Sequence, residues 1–269
     1  MSLIIPEDLP DCIDKPVEEA LTPVSKGIGK TLSDLWFIAM GGISQCAEKK
    51  RAKYAIDLDK FKKTLEEKVE AIPSERRIEP NTQIACQALE DAKYCAENKD
   101  IREMFANLIA STIDSKMCQK AHPSFSAILK QMTTKDAILF KSFIGNTKLP
   151  VCNFVLNFTN HTHRELLNYV YLKQKETEQD EIDSNSLALS ALERLGLIHL
   201  YFDSCLVGES LYQVYADSNI FQSCKETYES DTVKVVIQKG YAELTVLGRN
   251  LLEICCPPTK IICAKVTVF

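Results

Sequence analysis

The stretch from residue 100 to residue 125 has the most regular hydrophobic pattern in the chain, and it constrains the fold more than any other feature. Asp100 and Glu103 have the spacing of a capping box at the first turn of a helix. The apolar residues that follow recur at steps of three and four, so they share one stripe of that helix: Ile101, Met104, Phe105, Leu108, Ile109 and Ile113. Because this stripe has to be buried against other elements, the pattern predicts a helix at the centre of a helical core.

The helices predicted around this one are short and follow each other closely. Apolar residues keep helical spacing in four further segments: residues 52–69, 81–96, 124–132 and 133–145. Thr133 and Asp136 have the spacing of a second capping box, and Gly145 is suited to ending the last of these helices. Short-linked helices in succession predict an α-helical bundle over residues 25–146, after an extended arm over residues 1–24.

The composition changes after residue 146 towards alternating strands and helices. The β-branched and aromatic content of strands occurs in four segments: residues 151–158, 197–202, 233–237 and 261–269. The acidic residues 174–183 predict a loop. A helix over residues 184–195 is stopped by Gly196, and a later helix begins after Thr245, whose hydroxyl is suited to cap it.

This order of helix, glycine, strand, strand and helix resembles the winged-helix domains of bacterial regulators. In those domains the glycine turns the chain from the recognition helix into the first strand of the wing. The predicted fold class is therefore mainly α, with an N-terminal helical bundle and a C-terminal α+β, winged-helix-like domain over residues 147–269.

The composition argues against several classes of protein. The 269-residue chain has a formal net charge of −5, which is the wrong sign for a protein that coats nucleic acid. No apolar run approaches the ~20 residues that a membrane-spanning helix needs, and the first residues are too rich in acids and prolines for a signal peptide. The eleven cysteines include no CxxC pair. We therefore expect free thiols in the cytoplasm, with no metal and no cofactor.

Several short motifs of the chain resemble those of a known family. Residues 104–111 read MFANLIAS, residues 122–125 read HPSF, and residues 128–132 read ILKQM. Together with weaker matches at residues 30–36, 71–75 and 244–248, they resemble the bacterial abortive-infection alpha family. The resemblance implies a role in antiviral defence, as phage resistance, without a settled biochemical activity. The residues that carry the main motif are Met104, Phe105, Asn107, Leu108, His122, Pro123, Ser124 and Phe125.

Within that role, three molecular functions fit the sequence. The acidic charge and the lack of a recognisable catalytic constellation favour a sensor or effector that contacts a protein partner, either phage-derived or a copy of itself. The C-terminal element order favours a DNA-binding regulator with Arg194 as a candidate nucleic-acid contact, although the acidic residues before its helix oppose phosphate binding. The apolar helix over residues 35–43 favours a membrane-perturbing effector. Trp36 and Phe37 would then contact a membrane or a partner; otherwise they are buried in the core.

His122 admits a catalytic and a structural interpretation. As a general base it would use a side chain that titrates near neutrality, and Asp114 and Cys118 are the neighbours that a hydrolase could combine with it. As a structural residue its imidazole would bond to the backbone at the turn that Pro123 fixes, with Phe125 in the core. No catalytic partner stands at a recognisable spacing, so we favour the structural interpretation and predict no enzyme activity.

Overall fold

The computed structural model describes residues 30–40, 48–208 and 210–257. The predicted arm over residues 1–24 and the predicted last strand over residues 261–269 lie outside these ranges. Contacts between residues divide the described chain into a helical unit, up to residue 130 and again from residue 252, and a sheet unit over residues 131–251. Such a division does not test independent folding, so the predicted domain ranges stay predictions.

The helical unit is built around the helix that the sequence places at its centre. Its elements are α1 (Lys30–Met40), α2 (Glu48–Glu70), α3 (Thr82–Ala92), α4 (Lys99–Ser111) and α5 (Ser124–Gln131), which ends at the boundary. Helix α4 packs against α2 and α3, and α1 packs against α3. Met104, Phe105 and Leu108 of α4 are fully buried. The predicted helical core around this stripe is therefore confirmed.

The two predicted capping boxes have different outcomes. At Thr133 both reciprocal hydrogen bonds with Asp136 are present, so this box is confirmed. At α4 the N-cap is instead Asn98, whose side chain accepts hydrogen bonds from the N–H groups of Asp100 and Ile101. The prediction at Asp100 and Glu103 is wrong because the helix already begins at Lys99, with Asn98 as its N-cap. Asp100 lies in the first turn, where a carboxylate interacts favourably with the helix dipole.

The sheet unit combines four antiparallel strands with helices. Its elements are α6 (Thr134–Lys141), β1 (Lys148–Phe158), β2 (His163–Val170), α7 (Gln179–Arg194), β3 (Ile198–Tyr201), α8 (Ser210–Ala216), α9 (Asn219–Tyr228), β4 (Val233–Leu244) and α10 (Val246–Cys255), whose last residues belong to the helical unit. The strand order is β2-β1-β4-β3. The described chain is thus mainly α-helical with an antiparallel sheet, and the prediction of a mainly α fold that also contains strands is confirmed.

Three elements of the sheet unit differ from the sequence expectations. Strand β2 is missing from the prediction because half of its residues are both exposed and polar: His163, Arg164, Glu165 and Asn168. Helix α7 begins at Gln179, inside the predicted acidic loop, with Asp180 and Glu181 in its first turn, where the helix dipole favours them. Helices α8 and α9 occupy the link between β3 and β4, where the winged-helix resemblance implies a loop.

One face of the sheet carries the core of this unit. The even-numbered residues of β1, including Cys152, Phe154 and Leu156, pack there with aromatic side chains of α8 and α9. Among these contacts, the rings of Phe154 and Phe221 meet edge to face with their centroids 5.0 Å apart. At the outer strand β3, the N–H of Leu200 donates a hydrogen bond to a carboxylate oxygen of Glu193 at 2.9 Å. The side chain of Glu193 thereby pairs with one backbone N–H group of this strand.

Candidate functional site

His122 bonds to the first turn of α5. Its Nδ1 atom accepts a hydrogen bond from the N–H of Ser124 at 3.2 Å and lies 2.7 Å from the Ser124 hydroxyl. Its carbonyl oxygen accepts a hydrogen bond from the N–H of Phe125. The two rings lie 6.0 Å apart, with Phe125 buried. These contacts give His122 the role in the turn that the structural interpretation expects.

Asp114 and Cys118 make their side-chain contacts elsewhere. Asp114 is buried and forms a two-armed ion pair with Arg76, in which Nε lies 3.0 Å from Oδ1. The same carboxylate accepts a hydrogen bond from the N–H of Lys116. The thiol of Cys118 lies 3.7 Å from the carbonyl oxygen of Ser115. Within the described chain no hydrogen bond joins either residue to His122.

Asn107, in the motif helix, fixes the end of α10. Its side-chain amide donates a hydrogen bond of 2.8 Å to the carbonyl oxygen of Cys255. The last carbonyl groups of a helix have no partner within the helix, so this bond satisfies one of them. Burial raises the pKa of the Cys255 thiol well above its ordinary value, so this cysteine stays protonated and unreactive. The described contact of Asn107 is therefore structural.

The segment 244–248 is also explained by packing. The hydroxyl of Thr245 donates a hydrogen bond of 2.6 Å to the carbonyl oxygen of Gly196 and accepts one of 2.9 Å from the N–H of Gly248. Thr245 thus caps α10, as predicted. A Cβ atom at Gly248 would lie 2.0 Å from the carbonyl oxygen of Leu197. Only glycine allows this close approach of the helix to the chain before β3.

A charged network is buried in the helical unit at Asp91. Its carboxylate accepts hydrogen bonds from Lys130 at 2.8 Å, from Ser126 at 2.7 Å and from Gln87 at 2.9 Å. Burial acts to raise the pKa of Asp91, but the bonds from Lys130, Gln87 and Ser126 outweigh it and lower the pKa below its ordinary value. Asp91 is therefore ionised at neutral pH. It cannot serve as a proton donor there, and we assign it to stability.

In helix α1 the two aromatic candidates point to different environments. Trp36 is fully buried, and its ring lies 5.6 Å from that of Phe61. Phe37 is 58% exposed, and its neighbour Ile38 is 71% exposed. No helix in the described chain is both long enough and apolar enough to cross a membrane. Trp36 thus has the core position that the sequence left open, and Phe37 remains a candidate for membrane or partner contact.

Arg194 lies exposed in the last turn of α7, where its guanidinium donates a hydrogen bond of 3.3 Å to the side-chain oxygen of Gln131. The first turn of the same helix carries Asp180 and Glu181. A helix that enters the DNA major groove presents its N-terminal residues to the bases. Carboxylates at that end oppose the approach of phosphate groups, so the described geometry gives Arg194 little support as a nucleic-acid contact.

The most distinctive surface of the sheet unit is an aromatic patch that the sequence analysis did not identify. Tyr201 of β3 and Tyr241 of β4 are cross-strand partners, with their rings stacked 4.9 Å apart. The ring of His199 lies 6.3 Å from that of Tyr201, and the ammonium of Lys148 lies 4.7 Å above the ring of Tyr241. We call Tyr201, Tyr241, His199 and Lys148 the aromatic patch. All four side chains are at least partly exposed.

Buried contacts beneath the patch fix its position. A Cβ atom at Gly240 would lie 2.3 Å from the carbonyl oxygen of Tyr201 and 2.5 Å from the ring of Phe202, so glycine is needed there. The carbonyl oxygen of Gly240 accepts a hydrogen bond of 2.7 Å from the hydroxyl of Tyr212. Lys148 also pairs with Glu243 at 3.3 Å. The patch is therefore held on paired strands, which position a contact surface more precisely than loops do.

The chemistry of the patch suits recognition of another molecule. Tyrosine rings offer large contact areas at low entropic cost, and they are enriched where proteins meet. Within the described ranges no group of three histidine, cysteine or acidic residues could hold a metal ion. No pattern in the sequence indicates the patch, because helices α8 and α9 separate its strands along the chain and only the register shows that Tyr201 and Tyr241 are partners.

Comparison with known proteins gives one match. A family model described as abortive infection alpha matches residues 53–255, which is more than half of the chain. No curated protein and no solved structure matches.

Proposed function

This chain belongs to the abortive infection alpha family, and from that premise we propose that it acts in anti-phage defence as a sensor or effector through contacts with a protein partner. The observation that supports contact is the aromatic patch, a stacked pair of tyrosines with a histidine and a lysine on two strands. Aromatic residues dominate the energetic centres of protein interfaces. The partner is a phage-encoded protein or a second copy of this chain.

The described contacts of the motif residues agree with this proposal. Asn107 and His122 bond to backbone and side-chain groups of neighbouring turns, while Met104 and Phe105 fill the core. These residues support the fold, and the surface that recognises the partner is expected elsewhere.

We propose the cytoplasm as the location, because the cysteines of the described ranges are free thiols and such thiols suit a reducing compartment.

Phage challenge of bacteria tests this function. Cells that produce the full chain and cells with an empty vector are exposed to a panel of unrelated phages at low and high ratios of phage to cells. We expect at least a tenfold drop in plaque number for some phages, with culture survival at the low ratio and death of infected cells at the high ratio. Equal plaque numbers across the panel would contradict the proposal.

A DNA-binding regulator is the second candidate, and the order of elements favours it. Helix α7, Gly196, β3, β4 and α10 follow one another as in a winged helix, except that α8 and α9 replace the short wing loop. A gel-shift titration of duplex DNA at 50 and 200 mM salt tests this candidate. Binding that weakens steeply with salt would support it. The absence of a shift at the lower salt would exclude it.

A membrane-perturbing effector is the third candidate, and the exposure of Phe37 and Ile38 on α1 favours it. A helix that lies in the membrane interface buries such apolar side chains among the lipid head groups. Vesicles loaded with a fluorescent dye provide the test. Leakage with the wild-type chain that is lost in Phe37→Glu would support this candidate, and intact vesicles in both cases would exclude it.

A further inference from the structure

The sheet has a second face, opposite its aromatic core, and part of that face forms a cavity. In the register of the strands, Val155 lies between Glu165 of β2 and Val236 of β4. One pair further along, Asn157 lies between His163 and Lys234. Alternate residues of a strand share a face, so these side chains stand together, opposite those that pack into the core.

The cavity has an apolar floor and a polar rim. Its volume is about 300 Å³, and it is lined by Val155, Asn157, His163, Glu165, Val236 and Gln238. Val155 is only 6% exposed and forms the floor together with Val236. The other four side chains are polar or charged and exposed. A mostly preformed concave surface with a few placed polar groups is the usual layout of a binding site.

Two residues of the rim are held in position by their neighbours. One carboxylate oxygen of Glu165 accepts a hydrogen bond of 2.8 Å from the side-chain amide of Asn168. The amide of Gln238 accepts a bond of 3.2 Å from Asn153 and donates one of 3.3 Å to the carbonyl oxygen of Phe202. The side chain of Gln238 is therefore held in place where it lines the cavity. A carboxylate has about four acceptor positions, so Glu165 retains acceptors for a ligand.

The charges around the cavity favour a cation next to Glu165. The carboxylate of Glu165 is the acidic group of the lining. Lys234 is on the same face but on β4, about 10 Å from β2 because two strand spacings separate them. A cation in contact with Glu165 is attracted to it more strongly than it is repelled by Lys234 across that distance. Salt also screens the repulsion from Lys234. A positively charged group is thus drawn to the β2 side of the cavity.

We propose that this cavity is the docking site for an arginine side chain of the protein partner. The aliphatic stem of arginine would cover the two valines, and its guanidinium would form two parallel hydrogen bonds with Glu165. The side-chain oxygen of Asn157 would accept a further N–H. Lysine presents a single point charge and cannot reproduce this geometry. The inference rests on the proposed contact function and specifies the chemistry of the partner.

Titration of the full chain with the peptide acetyl-Gly-Arg-Gly-amide, followed by NMR, tests this site. We expect saturable shifts of the amide signals of β1 and β2. Affinity should fall at least tenfold when citrulline, a neutral isostere, replaces arginine, and at least threefold with lysine. Glu165→Gln should weaken arginine binding at least tenfold, and Lys234→Gln should strengthen it. Glu226→Gln, at an exposed position of α9, should leave the affinity unchanged.

Several results would overturn the proposal. They are the absence of saturable binding by the wild-type chain, equal binding of the arginine and citrulline peptides, and unchanged binding by folded Glu165→Gln. Should Glu165→Gln fail to fold, Asn157→Ala provides the same comparison, with a loss of about threefold or more expected. The phage challenge is independent of this titration. Peptide binding without phage protection refutes the proposed function alone, and protection without peptide binding refutes the arginine site alone.

Discussion

The α-carbon of Gly248 in α10 lies directly against the carbonyl group of Leu197, so that a Cβ atom would come within 2.0 Å of the oxygen and 2.9 Å of the carbonyl carbon. Both atoms belong to the backbone, which cannot move aside as a flexible side chain can. The same turn is fastened by Thr245, which bonds to Gly196 and to the N–H of Gly248. This contact joins helix α10 to the chain that leads into β3.

Gly248→Ala is therefore expected to destabilise the protein by about 3 kcal/mol, in the upper range for overpacking in a close contact. Chemical denaturation followed by circular dichroism measures the change in the free energy of unfolding. Val246→Ala is the matched control in the same helix, because Val246 is 67% exposed, and it should change stability by less than about 0.5 kcal/mol. Equal stability of Gly248→Ala and the wild type would show that the contact is less close than described.

Asp91→Asn should cost about 1–3 kcal/mol of stability at pH 7, because it weakens hydrogen bonds from Lys130, Ser126 and Gln87 to a buried charge. The folded pKa of Asp91 is lowered, so its contribution is complete above the ordinary carboxyl pKa of about 4. It is lost as the pH falls through the lower folded pKa.

Denaturation of both proteins between pH 7 and pH 2 measures this dependence. The stability gap between wild type and Asp91→Asn should stay constant down to about pH 5 and then narrow. Glu67→Gln, on the exposed side of α2, serves as the control and should show no such gap at pH 7. A gap that persists unchanged at pH 2 would mean that the ionised carboxylate is not its source.

His122→Asn and His122→Ala separate the two interpretations of this residue. Asparagine can accept the hydrogen bond that the N–H of Ser124 donates to the imidazole, whereas alanine cannot. His122→Ala is therefore expected to lose about 1 kcal/mol of stability and His122→Asn clearly less. Phage protection should survive in His122→Asn. Loss of protection in a stable His122→Asn protein would favour the general base instead.

The elements that the sequence predicted correctly are those whose signal is local. Helix α4 follows from its own apolar spacing, and the cap at Thr133 follows from a residue three positions on. The N-cap of α4 was predicted at the wrong residue because Asp100 and Asn98 are both good N-cap residues. Which of them serves as the cap depends on where the helix begins. Strand β2 was missed because it is an edge strand that pairs on one side, and half of its side chains are polar.

Both surfaces that we propose as functional depend on register, which no local pattern specifies. The aromatic patch requires Tyr201 to stand opposite Tyr241. The cavity requires Glu165 to stand opposite Val155, beyond an irregularity in the pairing of β1 with β2. A shift of one residue would turn each of these side chains to the other face. Spacing along the sequence could therefore indicate the strands, but not the groups that they bring together.

We propose that defence depends on the aromatic patch. Phage challenge of cells that produce wild type, Tyr201→Ala or Tyr228→Ala tests it, with amounts of folded protein matched by immunoblot and melting temperature. Tyr228 is an exposed tyrosine of α9 outside the patch. We predict that Tyr201→Ala loses at least tenfold of the protection while Tyr228→Ala keeps it. Full protection by folded Tyr201→Ala would show that defence does not depend on the patch.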